Sequence, residues 1–358
     1  MVKLNVDLAD RSYPIYVSTD FSGLGMALRA ARLNGKLMII TDSNVSGYYL
    51  KACTDELEAA GAEVYSHVFQ AGEKNKTLDT VQDIYRQLTA RRFDRNSSLI
   101  ALGGGVAGDI TGFAAATFMR GINFIQIPTS LLAQADSSIG GKTGVDFEGS
   151  KNMVGAFYQP RFVYINVKTI STLPGRELSS GLAEVIKHGL ILNAEFYDYL
   201  KHSMDKIFSF DENTLQYVTK MNCSIKKSIV EQDEYEGGLR AILNFGHTIG
   251  HAVESACEFS LLHGECVAIG ISGAFRLAYR MGMLSMDEVT SVEDTLSAAG
   301  LPIRAPGLEP DEVYARMLQD KKVKDGRLRF ILPKAIGEVI SCTIEDERLI
   351  KEVIRELQ

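Results

Sequence analysis

Three of the six histidines fall in one short stretch, Asn244-Phe-Gly-His247-Thr-Ile-Gly-His251 followed by Leu262-His263-Gly-Glu265. Histidine is the commonest protein ligand for a transition metal and is costly to bury without a partner. His247 and His251 stand at i and i+4, so a helix carries both rings on one face, about one turn apart. That spacing suits a metal site, and it also suits a capping or hydrogen-bonded pair of helical histidines. The third histidine, with Glu254 and Glu265 beside it, favours the metal centre.

A second constellation is rich in glycine. After a strand-like run at 98–102 stands Gly103-Gly-Gly105-Val-Ala-Gly108-Asp109, which contains G-x-G-x-x-G between a strand and a helix. Glycines there let backbone approach a pyrophosphate, and the helix N-terminus offers unpaired N–H groups. The motif departs from the usual dinucleotide fingerprint in two ways. It lies beyond the first βα unit, and the next strand ends in Pro128-Thr129-Ser130 without an acidic residue. Asp42, far upstream, is the candidate for a ribose or adenine contact. A helix-packing turn with no ligand is the alternative.

A third set is basic, in a chain whose net charge is -7. Ser137-Ser-Ile-Gly-Gly-Lys142-Thr-Gly and Gly149-Ser-Lys151-Asn152 read as Gly/Ser-rich loops that would suit an anion. Lys226, Arg240 and the pair Lys321/Lys322 add positive charge later in the chain. Solvated surface charge explains any one of these. It explains them less well together, because Lys151-Asn152 and Arg240 adjoin glycines and apolar residues. The three sets together point to an enzyme that binds a nucleotide, a divalent metal and a small anion. An alcohol or polyol on the metal beside a nicotinamide would be the natural chemistry.

The elements that must position these residues change in texture along the chain. In the first half, strand-like runs at 36–42, 62–69, 98–102 and 124–127 alternate with helical spacing at 78–91, so βα units and a mostly parallel sheet are expected. Residues 3–17 look like an added edge hairpin. Beyond about 170, helical patterns dominate at 177–192, 214–231, 244–259, 263–282, 286–299 and 310–320, with one late hairpin at 328–341. The expected fold class is α/β: a Rossmann-like parallel-sheet domain over 1–165 and a mainly α-helical domain over 166–358. A chain of 358 residues is long enough for two domains, since single cores seldom outgrow about 250–300 residues.

Composition excludes several classes. The acidic balance argues against a nucleic-acid or anionic-membrane partner. Five cysteines without C-x-x-C spacing read as free thiols in a reducing compartment, and a cytoplasmic location is expected. The apolar run at 99–119 has a membrane-like length, but it carries Asp109 and five glycines and is expected to be buried in protein.

Seven motifs in order make a specific match. They are Gly103-Gly-Gly-Val-x-Gly-Asp109, Pro128-Thr-Ser-Leu-Leu-Ala-Gln-x-Asp136-Ser-Ser-Ile-Gly-Gly-Lys142-Thr-Gly, Lys151-Asn-Met-Val-Gly-Ala-Phe, Ala183-Glu184-Val-Ile-Lys187-His-Gly, Asp233-Glu-x-Glu-x-Gly-Leu-Arg240, Leu243-Asn-Phe-Gly-His247-Thr-x-Gly-His251-Ala-x-Glu254 and His263-Gly-Glu-x-Val-Ala-x-Gly270. Between about residues 35 and 340 the chain resembles the 3-dehydroquinate synthase family. The resemblance implies a shikimate-pathway lyase that uses NAD catalytically with zinc or cobalt. The expected reaction takes 3-deoxy-D-arabino-heptulosonate 7-phosphate to 3-dehydroquinate and phosphate. It would proceed by transient oxidation with NAD, phosphate elimination, reduction and intramolecular aldol closure.

The resemblance also implies roles. Glu184, His247 and His263 would be the metal ligands, and His251 a substrate contact, against the inference from helical spacing. The NAD contacts would be Asp42, Asn44, Glu73, Lys76, Gly104, Gly105, Val106, Asp109, Thr129, Ser130, Thr172, Leu173 and Glu177, with Lys142 and Lys151 shared between cofactor and substrate. The substrate contacts would be Asp136, Lys142, Lys151, Asn152, Lys187, Lys226, Arg240, Asn244, His251 and one of Lys321/Lys322, with Lys322 taken. Lys142, Lys226 and Arg240 would suit the carboxylate; Lys151, Asn152 and Lys322 would suit the phosphate. Arg120 would reach the phosphate bound by a partner subunit, so a homodimer is expected, with the active site in the cleft between the two domains. The alternatives are another sugar-phosphate cyclase and a metal-dependent NAD polyol dehydrogenase, which would have little use for Lys142, Lys151 and Arg240.

Overall fold

The computed structural model describes residues 1–258, 260–319 and 328–358. They fall into two compact units, Met1–Leu173 with Phe210–Glu234 and Pro174–Ser209 with Tyr235–Gln358. The first unit opens with β1 (Val2–Val6), β2 (Tyr13–Ser18), α1 (Leu24–Ala30), β3 (Leu37–Asp42), α2 (Lys51–Ala59) and β4 (Val64–Phe69). It continues through α3 (Leu78–Ala90), β5 (Ser98–Gly103), α4 (Gly105–Thr117), β6 (Asn123–Pro128), β7 (Lys142–Phe147), β8 (Ser150–Phe157) and β9 (Phe162–Asn166).

Seven of these strands form one sheet in the order β1-β2-β9-β6-β5-β3-β4. Only β1 runs antiparallel to its neighbour; every other pairing is parallel. The central strands are apolar on both faces, as a sheet covered on both sides requires. Met38, Ile40, Leu99 and Ala101 pack under α3 and α4. Their alternates Leu37, Ile39, Ile100 and Leu102 pack under α1 and α2. The 99–119 run is therefore a buried strand and the helix after it. No helix among the described residues is long and apolar enough to cross a membrane.

The chain then forms α5 (Gly175–Leu192), α6 (Ala194–Lys201) and α7 (Met204–Phe208) of the second unit. It returns to the first unit for α8 (Glu212–Gln232), which packs on β1, β2 and the turn at Ala133–Ser137. A single boundary near 165 does not describe this path, because amphipathic spacing shows that a helix buries a face without showing against what. The second unit ends with α9 (His247–Ala256), α10 (His263–Arg280), α11 (Met286–Ala298), α12 (Pro310–Gln319), the antiparallel hairpin β10 (Arg329–Ala335) and β11 (Glu338–Thr343), and α13 (Glu347–Glu356). Its axis is α10, buried on every side from Gly264 to Ala278 and packed against α5, α9, α11 and β10. All five cysteines are free.

Candidate active site

In the first unit, strand order explains the unusual place of the glycine-rich turn. From β3 the chain crosses to β4 on one side, and β5 then enters on the other side of β3. The ends of β3 and β5 thus flank a topological switch point, where open α/β sheets bind ligands. Asp42 closes β3 and Gly103 closes β5. A Cβ on Gly103 would stand 3.5 Å from Asp42 Oδ2 and 2.6 Å from Ala107 Cβ. Asp42 Oδ1 accepts the backbone N–H groups of Asn44 (2.8 Å) and Val45 (3.0 Å), which fixes the carboxylate at the strand end. Gly104 caps α4 without a side-chain hydrogen bond, and Gly105, Val106 and Asp109 lie in that helix's first turns. Thr129 N donates to Gly103 O at 2.9 Å, bringing Thr129 and Ser130 alongside.

Lys76 joins this turn to the basic set. Its Nζ pairs with Asp109 at 2.6 Å and Glu73 at 3.8 Å, and donates to Asn152 Oδ1 at 2.5 Å. Burial pushes the Asp109 carboxyl up to about 6 against the pull of the Lys76 ammonium. Burial also opposes the charge on Lys76, but Asp109 and Glu73 outweigh it and raise the amine. The cost of ionising Asp109 is absent below its ordinary range and complete above about pH 6. Lys76→Met should therefore cost about 3 kcal/mol near pH 8 and much less near pH 5. Denaturant unfolding across that range checks it; a deficit independent of pH would contradict it.

Lys142, Lys151 and Asn152 lie on the β7–β8 hairpin, where the sequence predicted loops; the glycines allow close pairing. A Cβ on Gly155 would meet Thr143 O at 2.2 Å. Asn152 adopts φ +52, and its N–H donates to Asp146 Oδ1 at 2.8 Å. Lys142 and Lys151 are exposed, as is Arg120 with φ +69. Lys226, buried on α8, pairs with Asp136 Oδ1 at 2.6 Å, and Asn222 fastens α8 to Ala135 O at 2.7 Å. Thr172 Oγ1 bonds the Tyr49 hydroxyl at 2.7 Å, and Leu173 follows it.

In the second unit three helices bring the metal-type donors together. Glu184 on α5 is 0% exposed; its Oε1 lies 3.5 Å from His247 Nε2 and 3.4 Å from His263 Nε2. Neither contact has hydrogen-bond geometry, so a buried carboxylate oxygen is left unsatisfied. Donors bound at about 2.0–2.1 Å in a tetrahedral zinc site stand roughly 3.4 Å apart, so these separations fit a shared cation. Glu184 Oε2 pairs with Lys187, which is 1% exposed. Burial alone would raise Glu184, but Lys187 and the two imidazoles hold its carboxyl well below the usual range. Burial and Lys187 push His247 down, while Glu184 and Glu254 overcome burial and lift His263 to about 9.

Backbone proximity holds these helices together. A Cβ on Gly264 would fall 1.9 Å from Ser180 O, one on Gly270 1.8 Å from Gly246 O, and one on Gly250 2.8 Å from Cys266 O. Gly246 has φ +78, which only glycine adopts freely, and it turns the chain into α9. Arg176 at the start of α5 grips Glu265 at the start of α10 through two bonds of 2.6 and 2.7 Å. This clamp was not foreseen, since neither residue's spacing marks it. Glu177 is exposed beside it. Arg240, 2% exposed, and Asn244 lie in the 3-10 turn leading to α9, and Asn244 Nδ2 donates to Glu236 Oε1 at 2.9 Å. Glu236 carried no assigned role in sequence; its place in the acidic run before Arg240 was the available signal. His251 shares a face of α9 with His247, ring centroids 5.1 Å apart, but groups with Glu254 and His263. Lys321 and Lys322 lie outside the described residues.

Comparison with known proteins finds similarity along the whole chain. The 3-dehydroquinate synthase N-terminal family model matches residues 66–180, and the C-terminal model matches 181–323. The 3-dehydroquinate synthase of Acetivibrio thermocellus is 60% identical over 358 residues, covering 100% of this chain and 99% of that protein. A 2-deoxy-scyllo-inosose synthase structure complexed with carbaglucose-6-phosphate, NAD+ and Co2+ superposes with a TM-score of 0.91 at 28% identity, covering 100% of both chains. The 2-epi-5-epi-valiolone synthase of Streptomyces hygroscopicus subsp. jinggangensis 5008, solved with NAD+ and Zn2+, gives 0.89 at 28% identity, covering 100% of this chain and 99% of that one. With both family models matched in series and a relative that similar along its whole length, this chain belongs to the 3-dehydroquinate synthase family.

Proposed function

We propose that the protein is a 3-dehydroquinate synthase. It would convert 3-deoxy-D-arabino-heptulosonate 7-phosphate to 3-dehydroquinate and phosphate in the shikimate pathway. The observation that carries this is the full-length 60% identity to a 3-dehydroquinate synthase, against 28% for the inosose and valiolone synthases. When bound, NAD would accept and return a hydride, and zinc or cobalt would make coordinated hydroxyl groups more acidic.

The chain's own residues would bind and orient. Asp42, Asn44, the Gly104–Asp109 turn, Thr129, Ser130, Thr172, Leu173 and Glu177 would hold the dinucleotide, with Glu73 and Lys76 beside them. Glu184, His247 and His263 would hold the cation. Lys142, Lys226 and Arg240 would take the substrate carboxylate, and Lys151, Asn152 and Lys322 its phosphate. Because Lys226 is already fixed by Asp136 and Asn152 by Lys76, their rotamer freedom is spent before substrate arrives. Lys187, Asn244 and His251 would contact the reacting end. Arg120 would serve the phosphate of a second copy, in a cytoplasmic homodimer.

The folds of the inosose and valiolone synthases favour one second reading, another sugar-phosphate cyclase. Product analysis by NMR separates the two. Conversion of the heptulosonate phosphate to 3-dehydroquinate, with sugar phosphates lacking a carboxylate left untouched, supports the synthase. The opposite pattern would overturn it.

A further inference from the structure

We propose that Glu254 is a positioning residue, a buried carboxylate that holds Nδ1 of His263 so that Nε2 is presented to the metal. The inference rests on the assignment of Glu184, His247 and His263 as the metal-binding set. Both histidines of that set direct Nε2 toward Glu184 Oε1, at 3.5 Å and 3.4 Å, so their Nδ1 atoms need separate partners. His247 has one close by: its Nδ1 lies 3.0 Å from the Phe245 carbonyl, in the turn that starts its own helix. His263 is the first residue of α10, and Oε2 of Glu254 stands 3.8 Å from its Nδ1.

Glu254 reaches there from α9, seven residues and two turns beyond His247, on the same helical face. It is 6% exposed. A carboxylate so buried is costly unless a cationic or N–H partner meets it. The contact has an ion-pair distance, and metal loading is expected to tighten it toward a hydrogen bond. A carboxylate on the far ring nitrogen fixes the tautomer and raises ligand basicity, and its loss typically costs roughly 10–100-fold in metal affinity. His251, Glu254 and His263 also form a group that could itself take a cation, and that is the rival role.

Cobalt titration of the chelator-treated full-length protein, followed by visible absorption and calorimetry, decides between them. The wild type should take one ion per chain. Glu254→Ala should bind cobalt roughly 10–100-fold more weakly, with altered ligand-field bands and unchanged NAD affinity. Glu254→Gln, which keeps a neutral acceptor, should fall between the two. It remains decisive should the alanine variant fail to fold. Cobalt affinity within twofold of wild type in a folded variant would overturn the proposal. Two ions in the wild type and one in Glu254→Ala would also overturn it, by making Glu254 a ligand. A wild type that binds no cobalt would instead overturn the metal assignment beneath it.

Discussion

Glu184→Gln is expected to leave a folded protein that binds zinc or cobalt more than about 100-fold more weakly, beyond the cost of losing an outer partner alone, and has background turnover. The reason is electrostatic as well as geometric. The carboxylate is fully buried, and burial alone would protonate it; Lys187 and the two imidazoles reverse that. Its lowered value keeps Glu184 anionic at neutral pH. The stability it contributes is present above the ordinary carboxyl range and lost only on acidification through the folded value. The amide keeps the shape and a hydrogen-bond acceptor for Lys187, but it supplies no charge to a cation. Removing the ion pair should cost about 3 kcal/mol in the metal-free protein. Cobalt titration, denaturant unfolding and a turnover assay read the three effects separately. Near-wild-type metal affinity with near-wild-type turnover would remove Glu184 from the site.

Gly270→Ala should have the largest effect on stability. Its Cβ would lie 1.8 Å from the carbonyl oxygen of Gly246 and 2.8 Å from the backbone nitrogen of Gly250, and backbone atoms cannot rotate aside. Helix α9 would have to move off α10, taking His247, His251 and Glu254 with it. A loss of at least about 3 kcal/mol is expected, with loss of metal binding, as for other overpacked interiors. Gly273→Ala is the matched control. Its Cβ would meet the terminal methyl of Ile249 at 2.6 Å, which can change rotamer. Alanine also gains about 1 kcal/mol of helix propensity there, so a net change within about 1 kcal/mol is expected. Denaturant midpoints compare the two. Equal stability of both variants would show that the α9–α10 seam is looser than the structure describes.

The parallel sheet was legible because β3 and β5 are continuous apolar runs between turn signals, and the helix at 78–91 showed its apolar stripe. The β7–β8 hairpin was not legible. Its strands carry glycines at 144 and 155, which weaken strand patterning while permitting the close approach that pairs them. Helix α8 was read with the second half, because its spacing reveals a buried face and not the unit that covers it.

At the site, helical spacing put His247 and His251 on one face, and the structure does so too. Spacing alone could not choose between them, since the choice depends on α5, more than fifty residues upstream in the chain. Glu184 shares α5 with Glu177, and no metal-type spacing sets it apart from that second carboxylate; only the family resemblance marked it. The Arg176–Glu265 clamp and the contact of Glu254 with His263 are likewise products of tertiary structure.

The most direct test of the central claim is phosphate release from 3-deoxy-D-arabino-heptulosonate 7-phosphate by the purified protein. It should be run with trace NAD, before and after chelation, while absorbance is followed for NADH. Many phosphates released per NAD, no net NADH, and activity lost on chelation and restored by zinc or cobalt is the predicted result. NADH accumulating in step with substrate consumed, with no phosphate released, would contradict the account and point to a dehydrogenase.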